Sequence, residues 1–159
     1  MSRSTGTIML NERRGRGACL LVVLASAAVF GACDESLSSI AGPTPNLQPT
    51  FASIQREIFD SAGRTACTSC HNQRSAFVNG SLNLQADASY NALVNVASRN
   101  KRGAIRVIPG DPENSYLIHK IEGRAGIFGF RMPDNGPPFL SDGQIVIVKR
   151  WIQLGARND

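Results

Sequence analysis

Apolar residues recur at helical spacing in four segments that follow residue 50, with polar residues between them. The first segment covers 51–62, and its apolar face consists of Phe51, Ile54, Ile58 and Phe59. Thr50 stands where an N-cap is expected. The pattern predicts an amphipathic helix that leads into a pair of cysteines.

Three further helices are predicted over 86–97, 111–122 and 141–154. Asp111 and Pro112 are typical of a helix start, and Gly123 is typical of a helix end. Ser141 and Gln144 have the spacing of a capping box. The run 146–148 is β-prone, but the capping residues favour a helix there as well. Because no convincing strand pair is found, the predicted fold class is all-α.

The first 32 residues have the pattern of an export signal. Three arginines at 13, 14 and 16 precede an apolar run over 18–30, and small residues follow it. The run is shorter than the roughly 20 residues that a transmembrane helix needs, which makes a membrane-spanning segment the weaker alternative. We therefore expect residues 1–32 to be a signal peptide and the mature protein to be exported to the cell envelope.

The residues around Cys33 resemble a bacterial lipobox, Phe30-Gly31-Ala32-Cys33, in which the cysteine becomes the lipidated first residue. The alternative is ordinary cleavage nearby, which leaves Cys33 as a thiol. The region 33–50 is rich in Pro and Ser, so we expect a lipid-anchor cysteine followed by a flexible linker. On this interpretation the protein is attached to the membrane through a lipid on Cys33, on the periplasmic side.

Composition and charge exclude two other classes of protein. With 42% hydrophobic and 18% charged residues, the chain is too apolar to be disordered. Residues 1–32 contain four Arg and one Glu, so +3 of the net charge of +5 lies in the export signal. The remaining charges are mixed, whereas a nucleic-acid-binding protein needs a clustered basic face. We expect no nucleic-acid partner.

The sequence Cys67-Thr68-Ser69-Cys70-His71 carries the strongest chemical prediction. It has the spacing of a c-type haem attachment site, in which two thiols bind the two vinyl groups of one haem. The adjoining histidine then supplies the proximal nitrogen to the iron. We expect one covalently attached haem c, with Cys67, Cys70 and His71 as binding residues.

Three alternatives to haem attachment were weighed: a structural zinc site, a redox dithiol and a structural disulfide. A closed zinc site commonly takes its four ligands as two pairs, and His119 alone does not form a second pair. A thioredoxin-like dithiol belongs to a βαβ pattern, which the sequence lacks. Export also favours haem, because this kind of attachment takes place outside the bacterial cytoplasm.

Two residues compete for the distal position on the iron. Met132 is the one methionine outside the export signal, and it lies in a loop over 123–140 with four Gly and three Pro. His119 is the other histidine, on the third predicted helix. We favour Met132 because a Met/His ligand pair is common in cytochromes c.

With these motifs, the chain resembles a class I c-type cytochrome domain, and more narrowly the planctomycete-type cytochrome c-like family. The matching segments are 81–84, 90–93, 109–117, 131–133, 140–145 and 151–156. The resemblance implies a small helical domain over 51–159 wrapped around one haem. It also implies thioether bonds at Cys67 and Cys70, with His71 and Met132 as iron ligands, and an N-terminal helix that crosses the C-terminal one and brings Phe59 near Trp151.

These features predict an electron carrier and not an enzyme. The expected function is a monohaem cytochrome c that moves single electrons between membrane or periplasmic redox proteins. One alternative is a five-coordinate haem enzyme or gas sensor, with His119 as its acid or base. The other is an accessory haem subunit of a larger oxidoreductase complex, docked through the apolar stretch 127–130.

Overall fold

The computed structural model describes residues 46–62, 66–75 and 77–159. The predicted export signal, Cys33 and most of the predicted linker lie outside these ranges. The helices are α1 (Phe51–Ile54), which continues into a π-helical turn (Gln55–Phe59), α2 (Cys67–Cys70), α3 (Ser89–Leu93), α4 (Tyr116–Glu122) and α5 (Asp142–Gln153). No helix within the described ranges is long and apolar enough to cross a membrane.

The predicted helical class is confirmed at this coarse level. Over the residues that the structure describes there is no named strand, and the extended backbone forms only isolated bridges. One bridge joins Val94 to Val107 and another joins Ala97 to Ile105. The prediction of a helix over 86–97 was wrong at both ends, because α3 spans only Ser89–Leu93. The bridges at Val94 and Ala97 explain why the helix ends at Leu93.

The predicted helix over 111–122 was wrong at its start. Asp111 accepts a hydrogen bond from the backbone of Asn114 (3.1 Å), and the Ser115 hydroxyl donates to the Asp111 carbonyl (2.7 Å). The capping carboxylate therefore stabilises a tight turn, and α4 begins one turn later at Tyr116. Its end is as predicted, with Gly123 in the left-handed conformation.

The helix α5 follows the prediction most closely. The Ser141 hydroxyl accepts from the Gln144 backbone (3.2 Å), and the Gln144 side chain accepts in return from the Ser141 backbone (2.9 Å). This is the predicted capping box. The buried face of α5 includes Trp151 and Ile152, which belong to the main hydrophobic core.

The N-terminal helix packs against the C-terminal one through aromatic rings. The ring of Phe51 lies 5.3 Å from that of Trp151 and 6.4 Å from that of Phe59. Phe51 therefore contacts Trp151 directly, and Phe59, which the resemblance implied near Trp151, belongs to the same core cluster. Thr50 caps α1 as predicted, and Asp159 accepts hydrogen bonds from the backbone of Phe51 and Ala52.

The globular core begins before residue 51. Leu47 is 4% exposed and belongs to the core cluster. The Ser53 hydroxyl fixes this segment, because it accepts from the Gln48 backbone (2.9 Å) and donates to the Asn46 carbonyl (3.4 Å). Leu47, in the described part of the predicted linker, therefore packs against the core, where burial of its apolar side chain is favourable.

Candidate cofactor-binding site

A cavity of about 420 Å³ contains all four residues that the sequence singled out for haem binding. Cys67, Cys70 and His71 line it from α2 and the residue after it, and Met132 lines it from the loop between α4 and α5. Cofactor sites occupy roughly 300–1,000 Å³. The fold thus brings together residues that are far apart in the sequence.

The cavity wall is mainly apolar. Its apolar side chains come from the π-helical turn, α3, α4, α5 and the loops between the helices, and they include Ile58, Phe59, Leu82, Leu84, Leu93, Leu117, Ile121, Phe128, Phe130, Leu140 and Val148. A wall of this kind suits a large flat apolar group and excludes water from its centre. A second, more open depression of about 820 Å³ has mostly polar residues around it and includes none of the four.

The helix α2 holds the two cysteines on one turn. Its hydrogen bond from the His71 backbone to the Cys67 carbonyl (2.8 Å) closes the turn, so residues 67 and 70 lie on the same side. The Thr68 hydroxyl donates to the Phe59 carbonyl (3.2 Å), which ties α2 to the π-helical turn. Burial raises the pKa of the Cys67 thiol to about 11. Cys70, at the other end of the turn, is exposed to solvent.

His71 has an unusual environment for a histidine. Its Nδ1 is buried and has no hydrogen-bond partner among the described residues. Burial lowers the pKa of His71, and the nearby backbone of Leu82 partly opposes this shift. The Leu82 backbone nevertheless does not form a hydrogen bond of ordinary geometry with Nδ1. The positive charges of Lys120 and Arg106 lower the pKa further. The ring is therefore neutral at pH 7, which is the form that binds metals.

The loop that carries Met132 is fixed against α4. The Met132 backbone donates to the Lys120 carbonyl (2.9 Å), and Arg131 Nε donates to the Ile121 carbonyl (2.8 Å). The aliphatic part of Arg131 packs on Gly123, where a Cβ would lie 2.9 Å from the Arg131 Cδ. Gly123 also has φ +74°, so both its conformation and its neighbour require glycine.

The rival distal ligand, His119, is held elsewhere. Its Nε2 lies 2.7 Å from the carbonyl oxygen of Glu113, and its ring meets the Tyr116 ring edge-on at 6.1 Å. The structure therefore brings Met132, and not His119, to the wall that His71 shares. This placement supports the preference for Met132.

Two cationic residues of the cavity wall were missed by the sequence analysis. Arg106 and Lys120 both line it. Lys120 lies within α4, where the sequence pattern does not distinguish it from a surface residue, so it gave no signal. Arg106 gave a weak one, because it stands inside the apolar run Ala104-Ile105-Arg106-Val107-Ile108. An arginine inside an apolar run is expected to be buried together with that run.

The residues fit a haem group. His71, a neutral imidazole whose buried Nδ1 has no partner among the described residues, shares an apolar cavity with the thioether of Met132 and two thiols on one helical turn. Within the described ranges, no three His, Cys, Asp or Glu side chains form a group that could hold a metal ion.

Comparisons with known proteins identify no relative. The chain matches no protein-family model, no curated protein and no solved structure. Its function therefore has to be argued from its own residues.

Proposed function

We propose that this protein is a c-type cytochrome that carries single electrons. The observation that carries the proposal is the convergence of Cys67, Cys70, His71 and Met132 on one apolar cavity. Cys67 and Cys70 would hold a haem through thioether bonds, and His71 and Met132 would ligate its iron. The haem iron supplies the chemistry, since it gains or loses one electron.

The protein's own residues favour transfer of electrons over catalysis. If His71 and Met132 both ligate the iron, the protein would leave no coordination position open for a substrate. An apolar wall disfavours the additional positive charge of the oxidised iron, which raises the reduction potential. His119, the candidate acid or base of the enzyme alternative, has its Nε2 next to the Glu113 carbonyl. We therefore favour a carrier over the enzyme or sensor.

The cellular setting belongs to the same proposal. The export signal and the lipobox-like sequence at Cys33 would place the domain on the periplasmic side, attached to the membrane by a lipid. Its partners would then be membrane-bound or periplasmic redox proteins.

The proposal is tested by producing the mature protein with a c-type maturation system and measuring its intact mass after denaturation. We expect one haem to remain attached in the wild type and none in the double variant Cys67→Ala, Cys70→Ala. Ser69→Ala is the matched control, because it changes the same turn without removing a thiol. A wild-type protein with no covalent haem, or haem retained by the double variant, would overturn the proposal.

A further inference from the structure

Arg106 is an unusually buried cation. Its side chain is 8% exposed although it lines the cavity. The guanidinium donates to the backbone carbonyls of Ala92 (2.7 Å), Gly80 (2.6 Å) and Ser81 (3.1 Å). A guanidinium has five N–H groups, so these bonds leave donors for a further acceptor.

Arg106 has no carboxylate partner among the described residues. The ion pairs there are formed by Arg56, Arg124 and Lys149 with nearby glutamates. Lys120, the other cation of the cavity wall, has the charge of Asp134 close by. Carbonyl dipoles stabilise the Arg106 charge only in part, and burial accordingly lowers the pKa of Arg106.

Two of the carbonyls that bind Arg106, those of Gly80 and Ser81, belong to the segment 80–84, which is hydrogen-bonded to His71. Gly80 and Ser81 both have left-handed backbone conformations, with φ +72° and +55°. Such a conformation is strained at Ser81, and the hydrogen bond to Arg106 helps to hold it. The same segment continues to Leu84, whose backbone donates to the His71 carbonyl (2.8 Å). Arg106 is therefore connected to the segment that supports the proximal histidine.

We propose that Arg106 binds a carboxylate of the cofactor and so fixes the cofactor to the segment 80–84 behind His71. The inference rests on the proposed function, because a haem carries two propionate carboxylates. The N–H groups that the three carbonyls leave free can donate to one of these carboxylates, and a charge-assisted bond of this kind is about twice as strong as a neutral one. It would compensate the buried charge of Arg106, which has no acidic partner among the described residues.

The pairing has a measurable consequence for the redox equilibrium. Without Arg106, the cofactor carboxylate loses its countercharge and stabilises the more positive, oxidised iron. The midpoint potential should therefore fall. Arg106 acts here as a positioning residue through the cofactor carboxylate, and it does not touch the reacting iron.

The test compares Arg106→Gln, Arg106→Lys and Arg99→Gln in the haem-loaded protein. Arg99 is the matched control, because it is an exposed arginine that also bonds Ser81, through its hydroxyl (2.6 Å). We expect a lower midpoint potential in Arg106→Gln, a smaller decrease in Arg106→Lys, and little change in Arg99→Gln. Equal potentials in Arg106→Gln and Arg99→Gln would overturn the inference.

A second readout keeps the inference testable if Arg106→Gln does not fold. The propionate bending bands in the resonance Raman spectrum should shift in Arg106→Lys, because lysine lacks the guanidinium fork. A purely structural role would lower the free energy of unfolding and leave these bands unchanged, which would contradict the inference. Failure of the proposed function is seen separately, as wild-type protein without covalent haem.

Discussion

Around Trp151, the buried polar groups find partners within the chain, whereas on the cavity side His71 Nδ1 finds none among the described residues and Arg106 finds carbonyl oxygens only. The Trp151 indole donates to the Arg157 carbonyl (2.8 Å), and the nearby Tyr90 hydroxyl donates to the Ala156 carbonyl (3.0 Å). On the cavity side, His71 Nδ1 has no partner within the described ranges, and Arg106 has no carboxylate there. One region is complete as a protein core, and the other has the polar groups of a binding site.

The apolar surfaces of the two regions differ in the same way. Trp151 is 1% exposed, whereas Phe128 and Phe130 on the cavity wall are 60% and 75% exposed. Burial of aromatic side chains is a main source of stability in a small domain. The comparison therefore predicts that substitutions near Trp151 change stability, and that those near the cavity change the properties of the cofactor.

The largest stability effect is expected from Trp151→Ala. It removes a buried ring that contacts Phe51, so the free energy of unfolding should fall by about 3–5 kcal/mol. Chemical denaturation of the haem-loaded protein measures it. Val146→Ala is the control, because Val146 lies on the same helix and is 53% exposed, and its effect should stay within about 0.5 kcal/mol. Similar losses in both variants would refute the assignment of Trp151 to a self-sufficient core.

The region near Trp151 was also the easier one to predict from sequence. Ser141 and Gln144 form the cap of α5 through contacts three residues apart, so a local pattern was sufficient. The end of α3 was missed because Val94 pairs with Val107, a contact that no local pattern contains. The contact between Phe51 and Trp151 was not predicted for the same reason, since it depends on how two distant helices cross.

For the candidate site, the sequence predicted the residues with a local signature. The cysteine pair and His71 are contiguous, and Met132 was found by elimination among the methionines. Arg106 was missed because its importance comes from the carbonyls of Gly80, Ser81 and Ala92, which only the folded chain brings to it. The nonlocal polar contacts of the candidate site could therefore be identified only from the structure.

A moderate effect is expected from Gly123→Ala, at the end of α4, where the loop that carries Met132 begins. The left-handed conformation at Gly123 costs about 1–2 kcal/mol for alanine, and the added Cβ would also displace Arg131. Gly103→Ala is the matched control, because Gly103 has φ +81° and nothing within 4 Å of the added Cβ. We expect Gly123→Ala to be the more destabilising in chemical denaturation. Equal losses would show that Arg131 moves aside freely.

The smallest effect concerns acid stability. Partial burial would raise the pKa of Glu122, but hydrogen bonds from Arg124 and Lys149 outweigh it, so this pKa lies below its usual value of 4.5. The stabilisation is present above that value and is lost as the pH falls through the folded-state pKa. Glu122→Gln should remove this part of the acid dependence, worth less than about 1 kcal/mol.

The acid effect is measured as the free energy of unfolding of the wild type and Glu122→Gln between pH 7 and the acid transition. Because the pairs are partly exposed, 1 M salt should reduce the difference between the two proteins. Identical pH dependence of wild type and variant at low salt would contradict the prediction.

The most direct test of the central claim is the ferric absorption spectrum of the haem-loaded protein, with Met132→Ala and His119→Ala measured beside it. We predict a low-spin spectrum with the weak red band of a sulfur-to-iron bond, lost in Met132→Ala and retained in His119→Ala. A high-spin wild-type spectrum with ready binding of carbon monoxide in the ferrous state, or loss of the low-spin signal in His119→Ala alone, would contradict an electron carrier with Met132 and His71 on the iron.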